Sequence, residues 1–84
     1  MSDRVRVDVA LFSHLRHLVG ENRLTLDLPA GANAGAVEDA IRERVGAALG
    51  SLPLRVAVNH VYVNRDAPLA DGDEVAIIPP VQGG

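Results

Sequence analysis

The residues with the clearest chemical potential are the last two, Gly83 and Gly84, which follow the segment Pro79-Pro80-Val81-Gln82. The two prolines lack a backbone N–H and favour an extended, polyproline-like chain. At ~3.3 Å per residue, a tail of residues 79–84 carries the terminal carboxylate roughly 20 Å from the last strand. Glycine has no Cβ, so this end can enter a channel that excludes side chains. The carboxylate of Gly84 is therefore the candidate reactive group, on a flexible tail that extends from a domain of residues 1–78.

Composition limits what the rest of the chain can do. With 84 residues, 48% hydrophobic and 23% charged, we expect one small globular domain with one core. The net charge of −3 gives no electrostatic basis for nucleic-acid binding. The chain has no cysteine, so any reactive sulfur must come from another molecule. No apolar run approaches the ~20 residues of a membrane span, and we expect a cytoplasmic protein without a membrane contact.

Strand and helix patterns alternate along the chain. Alternation of valines with polar residues predicts a first strand over 4–11, and three alternating leucines predict a second over 24–28 that pairs with it. Ser13 is the predicted cap of a short helix that ends at Gly20. Asn33 is the predicted N-cap of the main helix, which reaches about Val45 and allows an ion pair between Glu38 and Arg42.

The second half of the sequence predicts three more strands. They cover residues 54–58, 61–63 and 74–78, with a turn at Asn59-His60 and another at Asp71-Gly72. Residues 46–53 are expected to form a loop, with a short helical turn around 47–49. These elements together predict an α+β domain in which one helix crosses a single sheet.

Strand parity places three apolar side chains on the side of the sheet away from the core. If Val61 and Val63 point inward, Tyr62 points outward, and the same alternation puts Phe12 and Ile78 outside. These residues predict an exposed apolar patch beside the tail, which is typical of a partner-binding surface. The alternative is that Phe12 turns inward at the strand end and that the neighbouring loop partly covers Tyr62.

The segment Leu69–Gly84, LADGDEVAIIPPVQGG, resembles the end of the small, sulfur-carrying subunit of molybdopterin synthase, in the MoaD/ThiS-like, ubiquitin-related family. The stretches Val56–Asn59 and Leu11–Arg16 also lie where that family has equivalents. The resemblance implies a ubiquitin-like β-grasp fold, with a mixed five-stranded sheet, one main helix across it and a short second helix.

The resemblance also implies a function. An E1-like adenylating enzyme uses ATP to activate Gly84, and a separate sulfur donor converts it to a thiocarboxylate. The small subunit then delivers this sulfur to a pyranopterin precursor inside the large catalytic subunit, within an expected heterotetramer. The family implies docking through Phe12, Tyr62 and Ile78 together with the tail residues Pro79, Pro80, Val81 and Gln82, while Gly83 and Gly84 enter the active site. No tightly bound cofactor is implied, and the catalytic groups belong to the large subunit.

Other interpretations stay open. The same terminal chemistry serves sulfur carriers for tRNA thiolation, thiazole synthesis or cysteine synthesis, and it also serves ubiquitin-like modifiers. All eight basic residues are arginines, so the chain cannot form lysine-linked chains of itself. His14 and His17 lack a third ligand, and the acidic residues from 66 to 74 lack the spacing of a calcium loop, so no metal site is predicted.

Overall fold

The computed structural model describes residues 3–12, 14–48 and 53–79. Within these ranges the chain forms five strands, two α-helices and one 3₁₀ turn over Gly46–Ala48. In chain order the elements are β1 (Arg4–Leu11), α1 (His14–Val19), β2 (Arg23–Pro29), α2 (Ala34–Val45), β3 (Arg55–Val58), β4 (Val61–Val63) and β5 (Glu74–Ile78). The predicted cap at Ser13 and part of the loop before β3, residues 49–52, lie outside the described residues.

The sheet has the strand order β2-β1-β5-β3-β4. The first and last strands of the sequence are neighbours at its centre and run parallel, with Val9 opposite Val75 and Leu11 opposite Ile77. The other neighbours are antiparallel, including the predicted pair of β1 and β2. The ubiquitin-like β-grasp fold is therefore confirmed, with its mixed five-stranded sheet, main helix and short second helix. Central placement holds β5 between two partners up to the point where the chain leaves the sheet.

The core lies between α2 and one face of the sheet, and it is aliphatic. The alternation that predicted β1 is observed, because Val5, Val7, Val9 and Leu11 are all buried. Fully buried side chains from other elements complete it: Leu15, Val37, Ile41, Val75 and Ile77. Each contributes about 1.5–3 kcal/mol relative to an exposed position. Both aromatic residues of the sequence, Phe12 and Tyr62, lie outside this core.

Helix α2 has the termini that the sequence predicts. Asn33 lies outside the helix in an extended conformation, and its Oδ1 accepts a hydrogen bond from the Ala36 backbone N–H at 3.1 Å. Gly46 ends the helix at a φ of 70°, a backbone conformation that glycine adopts without a Cβ penalty. The predicted pair is present as well, with Arg42 Nε 2.9 Å from Glu38 Oε2.

One inward assignment from strand parity is wrong. Val61 was expected to face the core with Val63, but 62% of its surface is exposed. It begins a strand of three residues at the edge of the sheet, where β3 is the only neighbour among the described strands. The leucines of β2, at the opposite edge, are half-buried for the same reason. Among the described residues, no helix is long and apolar enough to cross a bilayer.

Candidate functional site

Three alanines form the floor of a groove on the face of the sheet opposite the core, which we call the outer face. Ala10 of β1 lies beside Ala76 of β5, and Ala76 lies beside Ala57 of β3. Because all three side chains are single methyl groups, the centre of this face is lower than its surroundings. The row continues to Tyr62 of β4, which lies opposite Ala57.

Large apolar side chains border this alanine floor. Phe12 is 47% exposed and Tyr62 is 56% exposed, while Ile78 is half-buried. Together with the alanines they line a groove of about 380 Å³, which we call the outer-face groove. The structure therefore brings together the three docking residues that parity placed outside, and Phe12 does not turn inward. Exposed aromatic side chains beside an apolar floor are typical of a protein-binding surface.

The opposite end of the groove is polar and centres on Glu74. Arg23 Nη2 donates to Glu74 Oε2 at 2.6 Å, and His60 Nε2 lies 3.4 Å from Glu74 Oε1. The hydrogen bond from Arg23, followed by its positive charge and a smaller contribution from His60, lowers the pKa of the Glu74 carboxyl below 4.5. This end of the groove therefore holds a carboxylate whose charge is already balanced.

A tight turn positions the polar end. Asn59 and His60, between β3 and β4, have φ values of 51° and 72°. Two successive residues with positive φ are typical of a type I′ hairpin turn, which matches the twist of the strands. The Asn59 side chain connects the turn to β5, because its Oδ1 accepts from the Glu74 N–H at 3.0 Å and its Nδ2 donates to Asp73 Oδ1 at 3.0 Å.

Sequence reasoning missed one residue of the groove rim, Arg55. Its guanidinium carbon lies 4.5 Å from the centroid of the Tyr62 ring, within the range of a cation–π interaction. Arg55 also lies opposite Ile78 in the register of β3 and β5. Period-two alternation from Ala57 could have placed Arg55 on the outer face, but its pairing with Tyr62 depends on the register of three strands. Arg23 and Glu74 were missed for the same reason.

The predicted tail residues are placed only in part. Pro79 is buried, so the chain is still covered one residue after β5 ends. Its predicted role in partner binding therefore does not rest on an exposed ring. Pro80, Val81, Gln82, Gly83 and Gly84 lie outside the described residues, and their roles stay predictions, as does the domain boundary after residue 78. Within the described ranges, no three His, Cys, Asp or Glu side chains come together as metal ligands.

Comparison with known proteins agrees with the geometry of the sheet. The profile of the ThiS family matches residues 9–84. The molybdopterin synthase sulfur carrier subunit of Escherichia coli is 39% identical over 80 residues, which cover 93% of this chain and 99% of that protein. The protein of the same name from Chlamydomonas reinhardtii is 38% identical over 87 residues, covering 95% of this chain and all of the relative.

Solved structures give the same result. A Pyrococcus furiosus protein, provisionally assigned as molybdopterin converting factor subunit 1, superposes with a TM-score of 0.81 at 31% identity, covering 92% of this chain and 99% of that one. Small archaeal modifier protein 1 of Haloferax volcanii superposes with a TM-score of 0.78 at 25% identity and the same coverage. The family match and the near full-length identity to curated relatives show that this chain belongs to the ThiS family and is a homologue of the molybdopterin synthase sulfur carrier subunits.

Proposed function

We propose that this chain is the sulfur-carrier subunit of a molybdopterin synthase and that the large catalytic subunit docks on the outer-face groove. The observation that carries the proposal is the position of the groove relative to the tail. Phe12, Tyr62 and Ile78 surround the alanine floor, and Ile78 is the last residue of β5. A partner that covers the groove therefore lies next to the point where the chain continues toward Gly84.

The chemistry begins with a carboxylate, which is a poor electrophile because its charge repels nucleophiles. Attack of the Gly84 carboxylate on the α-phosphorus of ATP, within an E1-like enzyme, forms an acyl-adenylate and releases pyrophosphate. Sulfur from a persulfide donor then forms a bond to the acyl carbon, and the bond to AMP breaks. The product is a thiocarboxylate, whose sulfur is a soft nucleophile that can attack the pyranopterin precursor. Hydrolysis of the resulting acyl–sulfur bond leaves the sulfur on the product and restores the carboxylate for another cycle.

The folded domain contributes orientation to this reaction. β5 is hydrogen-bonded to β1 on one side and to β3 on the other, so the base of the tail has a defined position. A docked domain converts delivery of the terminus into an effectively intramolecular step, which raises its rate. The acids, bases and substrate-binding groups belong to the large subunit, and two carriers with two large subunits form the proposed heterotetramer.

Intact mass spectrometry tests the loading step. The chain is incubated with an E1-like activating enzyme, ATP and a persulfide donor, and we expect one oxygen at the terminus to be replaced by sulfur. Deletion of Gly84, or addition of one alanine after it, is expected to abolish transfer while circular dichroism and thermal unfolding stay unchanged. A chain with an added C-terminal residue that still supports molybdopterin formation would contradict the proposal.

A second candidate is a protein modifier, which the superposition on small archaeal modifier protein 1 favours. A modifier and a sulfur carrier share activation of the terminal carboxylate but differ in the nucleophile that follows. A modifier forms an amide with the amine of a target protein, whereas a carrier releases sulfur to a small molecule. Incubation of the activated chain with a cell extract, followed by a search for amide-linked adducts, separates the two.

A further inference from the structure

Charged residues on the outer face are balanced in pairs, with one exception at the groove. Arg6 lies 3.0 Å from Asp27, and Arg23 lies 2.6 Å from Glu74. Arg55 is different, because no carboxylate of the described residues lies within ion-pair distance of its guanidinium. Its recorded contact is with the ring of Tyr62. The rim of the groove thus carries a positive charge that the described part of this chain does not compensate.

The position of Arg55 places that charge at the tail end of the groove. Arg55 is an exposed residue at the start of β3, directly opposite Ile78, the last residue of β5. The balanced pair of Arg23 and Glu74 borders the same groove, one strand position or more before that end. A partner that covers Phe12, Tyr62 and Ile78 must therefore also cover, or closely approach, the guanidinium of Arg55.

Covering an unpaired cation is unfavourable. Removal of the guanidinium from water without an ionic partner carries a large desolvation penalty, whereas a carboxylate with good geometry offsets that penalty. The contact with Tyr62 favours such a pair, because a guanidinium held against a ring loses less conformational freedom on binding, and its N–H groups match a carboxylate in a bidentate arrangement. Tyrosine and arginine are also the residue types most often found at interface hot spots.

We propose that Arg55, held against Tyr62, forms an ion pair with a carboxylate of the large subunit when the outer-face groove is occupied. This inference rests on the proposed function and specifies the chemistry of the partner surface, which is an apolar side chain over the alanine floor and an Asp or Glu beside it. The pair fixes the orientation of the carrier next to the base of the tail.

The test is a binding measurement with the purified large subunit of molybdopterin synthase from the same organism. Calorimetric Kd values are compared for the wild type, Arg55→Gln, Arg55→Lys and the control Arg44→Gln. Arg44 is an exposed arginine of α2, on the other side of the sheet, so its substitution removes the same charge away from the groove. We expect Arg55→Gln to weaken binding about 30-fold, as for truncation of a covered charge pair. Arg55→Lys is expected to weaken it less, and Arg44→Gln by less than about twofold.

Salt dependence and charge reversal separate an ion pair from a purely steric role of Arg55. We expect Arg55→Gln to lower the salt sensitivity of the Kd, and the weak binding of Arg55→Glu to be restored by an Asp→Arg or Glu→Arg substitution in the large subunit. Thermal unfolding of each variant checks that the domain is intact. If the wild type binds and Arg55→Gln binds equally well, the ion pair is refuted while the proposed function stands. If the wild type does not bind the large subunit, the proposed function itself fails.

Discussion

His60 and Asn59 show how single residues shape the polar end of the groove. Both have positive φ, but they differ in what their side chains gain from it. Asn59 makes two hydrogen bonds to β5 and the residue before it, so its side chain contributes to the turn. His60 is highly exposed and contacts only the Glu74 carboxylate among the partners described for it. The conformation of His60 is therefore set by the hairpin rather than by its own interactions.

Replacement of His60 by glycine is expected to stabilise the domain. Glycine adopts a positive φ without the Cβ penalty, and part of that gain is offset by its greater freedom in the unfolded chain. We expect the free energy of unfolding in urea to rise by about 0.5–1 kcal/mol. Asn59→Gly is the matched control, and it is expected to destabilise because two hydrogen bonds are lost. Equal effects of the two substitutions would contradict this account of the turn.

Glu74 gives a pH dependence with a defined sign. Its pKa is lowered in the folded state, chiefly by the hydrogen bond from Arg23, so folding favours the charged form. The stabilisation is fully present above pH 4.5, the unfolded value, and is lost as pH falls from there through the folded pKa. In urea titrations, the stability difference between the wild type and Glu74→Gln should stay constant from neutral pH down to about 4.5 and then shrink. A difference that grows in acid would show that the pair does not act in this way.

Helix α2 is joined to the segment after β4 by an ionic cluster. Glu38, which is only 6% exposed, accepts from Arg42 at 2.9 Å and from Arg65 at 2.8 Å. Arg65 also lies 3.0 Å from Asp39, and these two carboxylates raise the pKa of its guanidinium. The Gly35 backbone N–H donates to the Arg65 carbonyl at 2.8 Å. The cluster therefore fixes how the helix sits over the sheet and, through the sheet, how the outer face is shaped.

A substitution in the first turn of α2 is expected to change sign with its background. A Cβ at Gly35 would lie 3.0 Å from Arg65 Nη2, so Gly35→Ala in the wild type displaces the guanidinium from its carboxylates. We expect this variant to be less stable than the wild type. Once Arg65→Ala has removed the obstruction, the helix propensity of alanine should dominate. The same glycine substitution then stabilises by up to about 1 kcal/mol. A double-mutant cycle of urea unfolding measures the coupling, and additive effects would contradict the proposed contact.

At the scale of the whole molecule, stability and recognition lie on opposite faces of one sheet. The core uses aliphatic side chains, whereas the aromatics Phe12 and Tyr62 are about half exposed on the outer face. A folded monomer gains little from aromatic rings in such positions, but an interface gains much from them. This division means that substitutions on the two faces should have different consequences.

Phe12→Ser and Tyr62→Ser are expected to change the free energy of unfolding by about 0.5 kcal/mol or less, as for surface positions. Ile41→Ala, at a fully buried position, is expected to lower it by about 2–5 kcal/mol. Binding to the large subunit should show the reverse pattern at temperatures where all three variants are folded. Chemical unfolding and calorimetric binding on the same samples make the comparison. Loss of stability in the two serine variants that matches Ile41→Ala would place the aromatics in the core.

The sequence by itself determined the elements and the inward set of β1, because local alternation and helix caps depend on neighbours along the chain. It also indicated the outward position of Phe12, Tyr62 and Ile78, since strand parity follows from the extended backbone alone. It did not reveal that Val61 is exposed, because that depends on β4 being an edge strand. Only the tertiary structure placed Arg55 on Tyr62 and Arg23 on Glu74, because each contact joins residues of different strands. The register that brings such residues together is set by the packing of the entire sheet.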